Sequence, residues 1–398
     1  MAATIANVDA ALKNDYQPVI REQLRNKWML LSQLSKNTKD VQGRYAVLSL
    51  HTGRNSGVGA RAAGAQLPTA GSQSYREERV PVARNYARVQ IHGDLIAASA
   101  SDKGSFARML DREIKGAVTD LKNDVSRQLF NDSTKSIAQC GTTSAANVVV
   151  LTDPTAIQLK QFHVGMVVDI GTTGNTTDVA SARNITAVDR SGGTITIDGA
   201  AVTTDSSDYI FRSGSDRNEL TGLREIVAGS GTLFNVDPSV EPEWVSTVST
   251  NGSTRTPTEL IFETAIEDVN FESGEDPNML VTTRGVRRGF AATLQSLKRF
   301  TNTVEVKGGF SAVTVQAGNV ELPLVVDNDC PAETAFAINT DHLCEYTMGD
   351  SWSWMDRDGT VLKYVHDYDA YEAVLYNYHE LMTDKRSAHA VIEALTES

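Results

Sequence analysis

Three cysteines in 398 residues are too few, and too far apart, for a disulfide-stapled scaffold. Cys140, Cys330 and Cys344 fit no zinc spacing, and an odd number pairs badly, so they read as reduced structural thiols. No apolar run approaches the ~18 residues of a membrane span. The opening MAATIANVDAALKNDYQ has no basic stretch followed by an apolar one, so it does not read as a secretory signal. The expected setting is therefore a cytoplasm, or an exit from it by a route other than secretion. The sequons at Asn131, Asn175, Asn184 and Asn251 then read as loop residues.

Catalytic patterns are also missing. Seven histidines are present, and no two have metal-ligand spacing. His379-Glu380 begins like a zincin helix, but Thr383 stands where the second ligand belongs. Asp356 and Asp358-Gly359 imitate a calcium loop, yet Trp354 and Val365 occupy its first and last positions. Both stretches read better as strand and turn. There is no nucleophile elbow, since Ala228 precedes Ser230 where glycine is required. No phosphate-binding lysine loop occurs, and no glycine fingerprint opens a helix after a strand. Nothing orients Cys140 with His163, and the carboxylates at Glu77-Glu78 and at Glu272, Glu275 and Asp276 sit in polar, solvated segments. The sequence thus offers no catalytic residue, cofactor site or metal site, and the chain reads as a non-enzyme. Arginines 54, 61, 76, 79, 84 and 88 are not interleaved with the aromatic platforms of a single-strand binder. The body is too acidic for a general duplex-binding face.

The chain does have ample material for a core: 40% of it is hydrophobic, and its length suits two or three domains. Its net charge of −13 hides an asymmetry. Residues 1–90 hold 13 Lys or Arg against 6 Asp or Glu, whereas 91–398 hold 24 against 44. A basic arm on an acidic body fits a nucleic-acid tail, an arm lying on the next copy of the chain, or a merely solvated arm.

Residues 1–44 read as an extended arm with one amphipathic helix. Pro18 starts it, and Val19, Ile20, Leu24, Trp28, Leu31 and Leu34 mark its apolar stripe. Such an isolated helix needs something to pack against. Two strands are predicted at Tyr45–Leu50 and Val80–Ile91, with the glycine-rich segment 53–74 between them. A long hairpin with so little to bury is marginal alone. Either the segment is a disordered loop, or a second subunit supplies the missing burial; the residues alone leave both open. Residues 102–131 are the clearest helix. Phe106, Leu110, Ile114, Ala117, Val118, Leu121, Val125 and Leu129 line one face, and thirty residues make a strut of about 45 Å. Short β runs separated by Gly, Asn, Asp, Ser and Thr fill 141–217, which suggests a small barrel or sandwich inserted into an α/β chain. Beyond it, helices are expected at Thr258–Phe271 and Arg284–Phe300, and strands at Met279–Thr283, Leu322–Val326 and Phe336–Asn339. A hairpin turning at Asp358-Gly359 follows, then the long strand YEAVLYNYHEL. The rings from Trp352 to Tyr378 suit either an interface patch or ordinary sheet packing.

The order of arm, long hairpin, strut helix, β module and α/β body resembles the major capsid proteins of tailed bacteriophages, the Hong Kong 97-type fold. ELTGLREIVAGSGTLFNVDPSVEPEW (219–244) resembles the entry to the axial (A) domain of that family. PNMLVTTRGVRRGFAATLQSLKRFTNT (277–303) resembles its strand followed by a basic helix, and LPLVVDNDCPAETAFAINTDHL (322–343) resembles its Asp-Cys-Pro pattern. The resemblance implies an α+β fold with an N-terminal arm at 1–44 and an extended E-loop at 45–92. A peripheral (P) domain with the spine helix would occupy 93–140, the inserted β module 141–217 and the A domain 218–349. P-domain strands at 350–385 and a return strand at 386–398 would complete it.

The resemblance further implies self-assembly through pentamers and hexamers into an icosahedral shell around double-stranded DNA, without sequence-specific contacts. An encapsulin-like compartment for protein cargo is the alternative, and an enzyme of unknown class a more distant one. The location would be the virion, assembled in the host cytoplasm, with no membrane. Portal and decoration proteins would be partners. Forty-four arm residues are too few for a fused scaffolding segment, so a separate scaffolding protein, or none, is expected. No lysine lies between Lys39 and Lys103, which removes the E-loop nucleophile some relatives use to weld subunits, so a non-covalent shell is expected. Inter-subunit contact is assigned to Trp28, Arg54, Arg61, Arg76, Glu77, Glu78, Arg79 and Arg84. The spine core is assigned to Phe106, Leu110, Ile114, Val118, Leu121 and Val125.

Overall fold

The computed structural model describes residues 28–38, 41–42, 45–94, 103–153, 160–296, 303–306, 310–317, 320–349, 352–356 and 361–397. The arm enters on a short helix, Met29–Gln33, that buries Met29 and Leu30. It ends at Leu34, where the chain turns extended, so the helical pattern stops one turn after Trp28; its part before Trp28 lies outside the described residues. Strand β1 (Ser35–Asn37) follows, then a three-stranded antiparallel ribbon of β2 (Val41–Gln42), β3 (Tyr45–Gly53) and β4 (Ser74–Pro81). The hairpin's partners run from Tyr45 with Pro81 to Gly53 with Ser74. Strand β5 (Ala83–His92) belongs to another sheet.

The single expected strand at Val80–Ile91 is therefore two. The buried positions are Glu78 and Val80, then Ala83 and Asn85, so their parity changes at Val82. A two-residue period does not survive such a change within one strand. Pro81, which has no N–H to give a ladder, sits at the break.

The strut helix spans Lys103–Gln128. After it come β6 (Ala138–Gln139), β7 (Thr143–Ala146), β8 (Val148–Val150), β9 (Val167–Thr172), β10 (Asn175–Asp189), β11 (Thr194–Ile197), β12 (Val202–Thr204) and β13 (Tyr209–Arg212). Six of these form one sheet in the order β6-β13-β9-β10-β11-β8. A bridge between Cys140 and Leu151 joins its two ends, with Gly141 N–H donating to Val150 and Thr152 N–H to Gln139. The module is a closed barrel with its own core, including Val149, Val168, Ile170, Ile185, Ile195 and Ile210. Asp169 inside it accepts from the Ala182 N–H (2.7 Å), the Gly214 N–H (2.9 Å) and the Ser213 hydroxyl (3.0 Å). These bonds hold Ala182 at φ 50°, beside a bulge in β10.

Past the barrel lie a helical turn at Leu223–Ile226, β14 (Thr247–Ser249), the acidic helix Glu259–Ser273, β15 (Met279–Thr282) and the arginine helix Arg284–Ser296. Then come β16 (Thr303–Val306), β17 (Phe310–Ala317), β18 (Val320–Val326), β19 (Ala335–Ile338) and β20 (Leu343–Thr347). The chain finishes with β21 (Ser353–Trp354), β22 (Lys363–Tyr364), β23 (Ala370–Thr383), a short 3-10 turn and β24 (Ala390–Ile392). A seven-stranded sheet runs β14-β24-β19-β15-β18-β17-β16. One of its faces carries both helices, whose Phe262 and Phe290 rings meet edge to face at 5.4 Å. Its other face, through Met279, Val281, Val325, Phe336 and Val391, joins the main core with Leu30, Leu129 and Leu381.

In the second large sheet β23 is central. It pairs with β5 over ten residues from Ala370–His92 to His379–Ala83, and with β20, β21 and β22 along its other edge. The expected hairpin around Asp358-Gly359 is revised accordingly. Its two flanking runs, β21 and β22, each pair with β23, and the turn residues lie outside the described residues. Asn175 and Asn184 are also revised, since both lie in β10; Asn131 is in a loop as expected, but buried past the end of the strut helix.

Candidate functional site

One cavity is lined by Lys36, Asp341, His342, Cys344 and Asp384, where His342 Nδ1 lies 2.8 Å from Asp384 Oδ1. Among the described residues no three His, Cys, Asp or Glu side chains are placed to hold a metal ion. His379, the candidate zincin residue, stands on a strand; its Nδ1 is 2.7 Å from Glu345 Oε1 and its Nε2 is 3.0 Å from Asn85 Nδ2. Burial of Glu345 opposes its ionisation, but the bond and charge from His379, with Lys36, hold the carboxyl below its ordinary range. None of the three cysteines forms a disulfide. Burial pushes the Cys140 thiol up to about 12, with help from Asp208 and Asp205, so it is no nucleophile at neutral pH.

What the chain gathers instead is a polar hub at the end of the strut helix, which reaches β5, the barrel's exit, the segment after it and the loop beyond β18. Arg127 donates to Glu219 (2.6 Å) on the segment after the barrel and to Asp124 (3.2 Å) one turn back. Asp124 also pairs with Arg212 at the barrel's exit (3.2 Å). Gln128 and Asn85 exchange side-chain bonds, which ties the helix to β5. The Ser126 hydroxyl donates to Asp329 beyond β18 (2.9 Å). Burial penalises both carboxylates of the hub. Asp124, facing two arginines, is nonetheless held below the ordinary range, and Glu219 is left above it. Gly222 completes the join: a Cβ there would lie 2.1 Å from the Asn131 backbone N, and the Leu223 N–H donates to the Leu129 carbonyl at 2.7 Å.

The sequence-assigned contact residues fall into three groups. Arg54 and Arg61 are exposed in the long loop at the hairpin tip, beside Val58 and Leu67, which are 84% and 81% exposed. Arg76, Glu77 and Arg79 are exposed but paired within the chain: Arg76 with Glu241 (2.5 Å) and Arg79 with Glu77 (2.8 Å). Arg84 is exposed on β5. Glu78 and Trp28 are turned inward. Glu78 is fully buried opposite Leu48, with neither carboxylate oxygen hydrogen-bonded. Burial, and then Asp384, push its pKa up to about 8. Trp28 donates its indole N–H to Asn123 (2.8 Å), and Lys122 stands between the Trp28 and Trp352 rings at 5.3 and 5.7 Å.

Of the spine residues, Leu121 and Val125 are buried and Ile114 and Val118 half-buried; Phe106 and Leu110 lie outside the described side chains. Sequence reasoning missed Arg386. It is 1% exposed and donates to five carbonyls, those of Glu225, Ile226, Ser230, Gly231 and Trp244, at 2.8 to 3.4 Å. An arginine in the polar run TDKRSAHA gives no such signal.

No family model matches the sequence, and no curated protein is similar to it. Solved structures are similar in fold. One is the capsid asymmetric unit of cyanophage A-1(L), at 14% identity and TM-score 0.60, over 97% of this chain and 98% of that one. A second is the holo-SrpI encapsulin complex of Synechococcus elongatus PCC 7942, at 10% identity and TM-score 0.51, over 100% of this chain and 96% of that one. The chain therefore has, over nearly its whole length, the mixed α+β fold of these shell subunits. The α+β class is the one the resemblance implied.

Proposed function

We propose that this chain is the major capsid subunit of a tailed bacteriophage, assembling non-covalently through pentamers and hexamers into an icosahedral shell around double-stranded DNA. The observation that carries the reading is the likeness to the cyanophage capsid subunit over 97% of the chain. In this reading the seven-stranded sheet and its two helices are the A domain at the ring centre. The strut helix and the β5-β23-β20 sheet are the P domain, and the barrel is an inserted module. The hairpin Tyr45–Pro81 is the E-loop, with its tip free to lie across a neighbour. Arg54, Arg61 and Arg84 are the assigned contact residues that remain without an ion pair to a described residue. They meet the acidic body of the adjacent copy. Closed point symmetry lets one such contact repeat around a ring, and many weak contacts act together. A separate scaffolding protein, a portal and decoration proteins complete the proposed partners, and no catalytic role is assigned.

The likeness to the encapsulin complex, also over the full chain, favours a second reading as a compartment shell for protein cargo. Electron microscopy of the protein expressed alone, and then with its neighbouring genes, tests both. Closed particles or five- and six-membered rings support the shell. DNA inside selects the capsid, and protein inside selects the compartment. A stable monomer or dimer under both conditions would sink the two readings together.

A further inference from the structure

We infer that the acidic helix Glu259–Ser273 of one copy docks on the arginine helix Arg284–Ser296 of a second copy of this chain. This inference rests on the shell reading and names one contact within it. The two helices lie side by side on one face of the seven-stranded sheet and touch through Phe262 and Phe290. Their apolar sides are consumed there: Phe262, Ala265, Ile266 and Val269 on one, Val286 and Phe290 on the other. What they turn outward differs in sign. The acidic helix carries five carboxylates and no basic residue; the arginine helix carries three arginines and no acid. None of these eight charges pairs with any described residue. Two uncompensated stripes of opposite sign on one molecule are unusual for a free surface, where mixed signs are the common arrangement.

The acidic stripe has apolar ends. Leu260 is 68% exposed and Phe271 is 85% exposed. The pair share one helix face with Thr264 and Glu267, at steps of four, three and four residues, and lie about 16 Å apart along the axis. A surface helix that bares a Leu and a Phe around its carboxylates has the make-up of a contact patch, with apolar anchors and charges to set orientation. Arg284 and Arg288 are one turn apart on the facing patch and both exposed. Gly285 and Gly289 sit on the inner side, where added Cβ atoms would meet Glu397 and Pro257, so the helix lies close to the body with its arginines outward. Acid meeting acid would repel, and arginine meeting arginine would repel. The charges thus select the unlike pairing between copies.

Charge reversal tests this. Glu267→Arg with Asp268→Arg makes one variant, Arg284→Glu with Arg288→Glu a second, and all four changes a third. The altered side chains are exposed, so the fold should persist; circular dichroism and thermal melting check this for each variant. Each two-site variant is expected to lose particle yield by about tenfold or more, and the four-site variant to recover it, because the pairing is restored with signs exchanged. Wild-type particles together with folded two-site variants that assemble equally well would overturn the helix contact and leave the shell reading standing. Folded two-site variants that fail, with a folded four-site variant that fails too, would also overturn the pairing. A wild type that never assembles would overturn both.

Discussion

At the scale of single residues, burial decides more than sequence neighbourhood. Arg76-Glu77-Glu78-Arg79 reads as a solvated charged run, yet Glu78 is sealed beneath the hairpin with its carboxyl unpaired. The parity of β4, which faces 78 and 80 inward, is the signal, and it becomes usable only once the strand is known to start at Ser74. Glu380 is similar: burial, against opposing bonds from the Thr221 and Leu381 N–H groups, lifts it to about 8. Both carboxyls ionise near 4.5 in the unfolded chain, so the folded state retains their protons between 4.5 and 8 and loses stability as pH rises through that window. His389, held down to about 3 by burial, acts oppositely, but only below its unfolded 6.5. Melting temperature should therefore fall from pH 6.5 to 8. Glu78→Gln should remove part of that slope, and an unchanged slope would reject the assignment. Arg386→Ala should cost about 3 kcal/mol in urea unfolding, since it orphans several buried carbonyls. Arg386→Lys should recover only part, because an ammonium cannot spread over five acceptors.

At the scale of elements, the strut helix and the barrel strands were legible because their periods are clean. The helix expected at 102–131 forms over Lys103–Gln128, and mostly short strands fill 141–217 as expected. The apolar stripe of the strut does not disclose where its cover lies: Leu121, Val125 and Leu129 are buried, whereas Ile114 and Val118 are only half-covered within one chain. Leu129→Ala should cost about 3 kcal/mol in the isolated subunit and Ile114→Ala clearly less, by chemical denaturation. The polar hub was illegible, for its members come from five distant segments and no local pattern links them. Gly222→Ala tests its tightest point. With a Cβ 2.1 Å from the Asn131 backbone there is no side chain to yield, so the variant should unfold at markedly lower temperature than a control at the open Gly252.

At the scale of the whole molecule, the order of helices and strands was largely readable, and the way they interlock was not. β5 and β23 lie far apart in sequence yet form the longest ladder, and the closing strand β24 sits inside the seven-stranded sheet. Such non-local pairing leaves only alternation in the sequence, without an address. The barrel's separate core makes a different expectation. Its first and last strands, β6 and β13, pair with each other. Replacing residues 138–210 by a short Gly/Ser linker should leave a folded body with a single melting transition, and an unfolded product would show that the barrel is structurally required. The absence of lysine between Lys39 and Lys103 bears on the proposed shell as a whole. Particles boiled in detergent should run as single chains, and a ladder of linked species would contradict the non-covalent assembly.

The single bridge between Cys140 and Leu151 has a consequence for crowding. In a lattice, copies are held at concentrations no free solution reaches, and every unpaired strand edge becomes a template on which a neighbour can grow a mixed sheet. By joining its ends the six-stranded sheet offers fewer such templates, leaving the short β7-β12 ribbon with edges of its own, so a module rich in short strands can be carried at high density with less risk of seeding fibres.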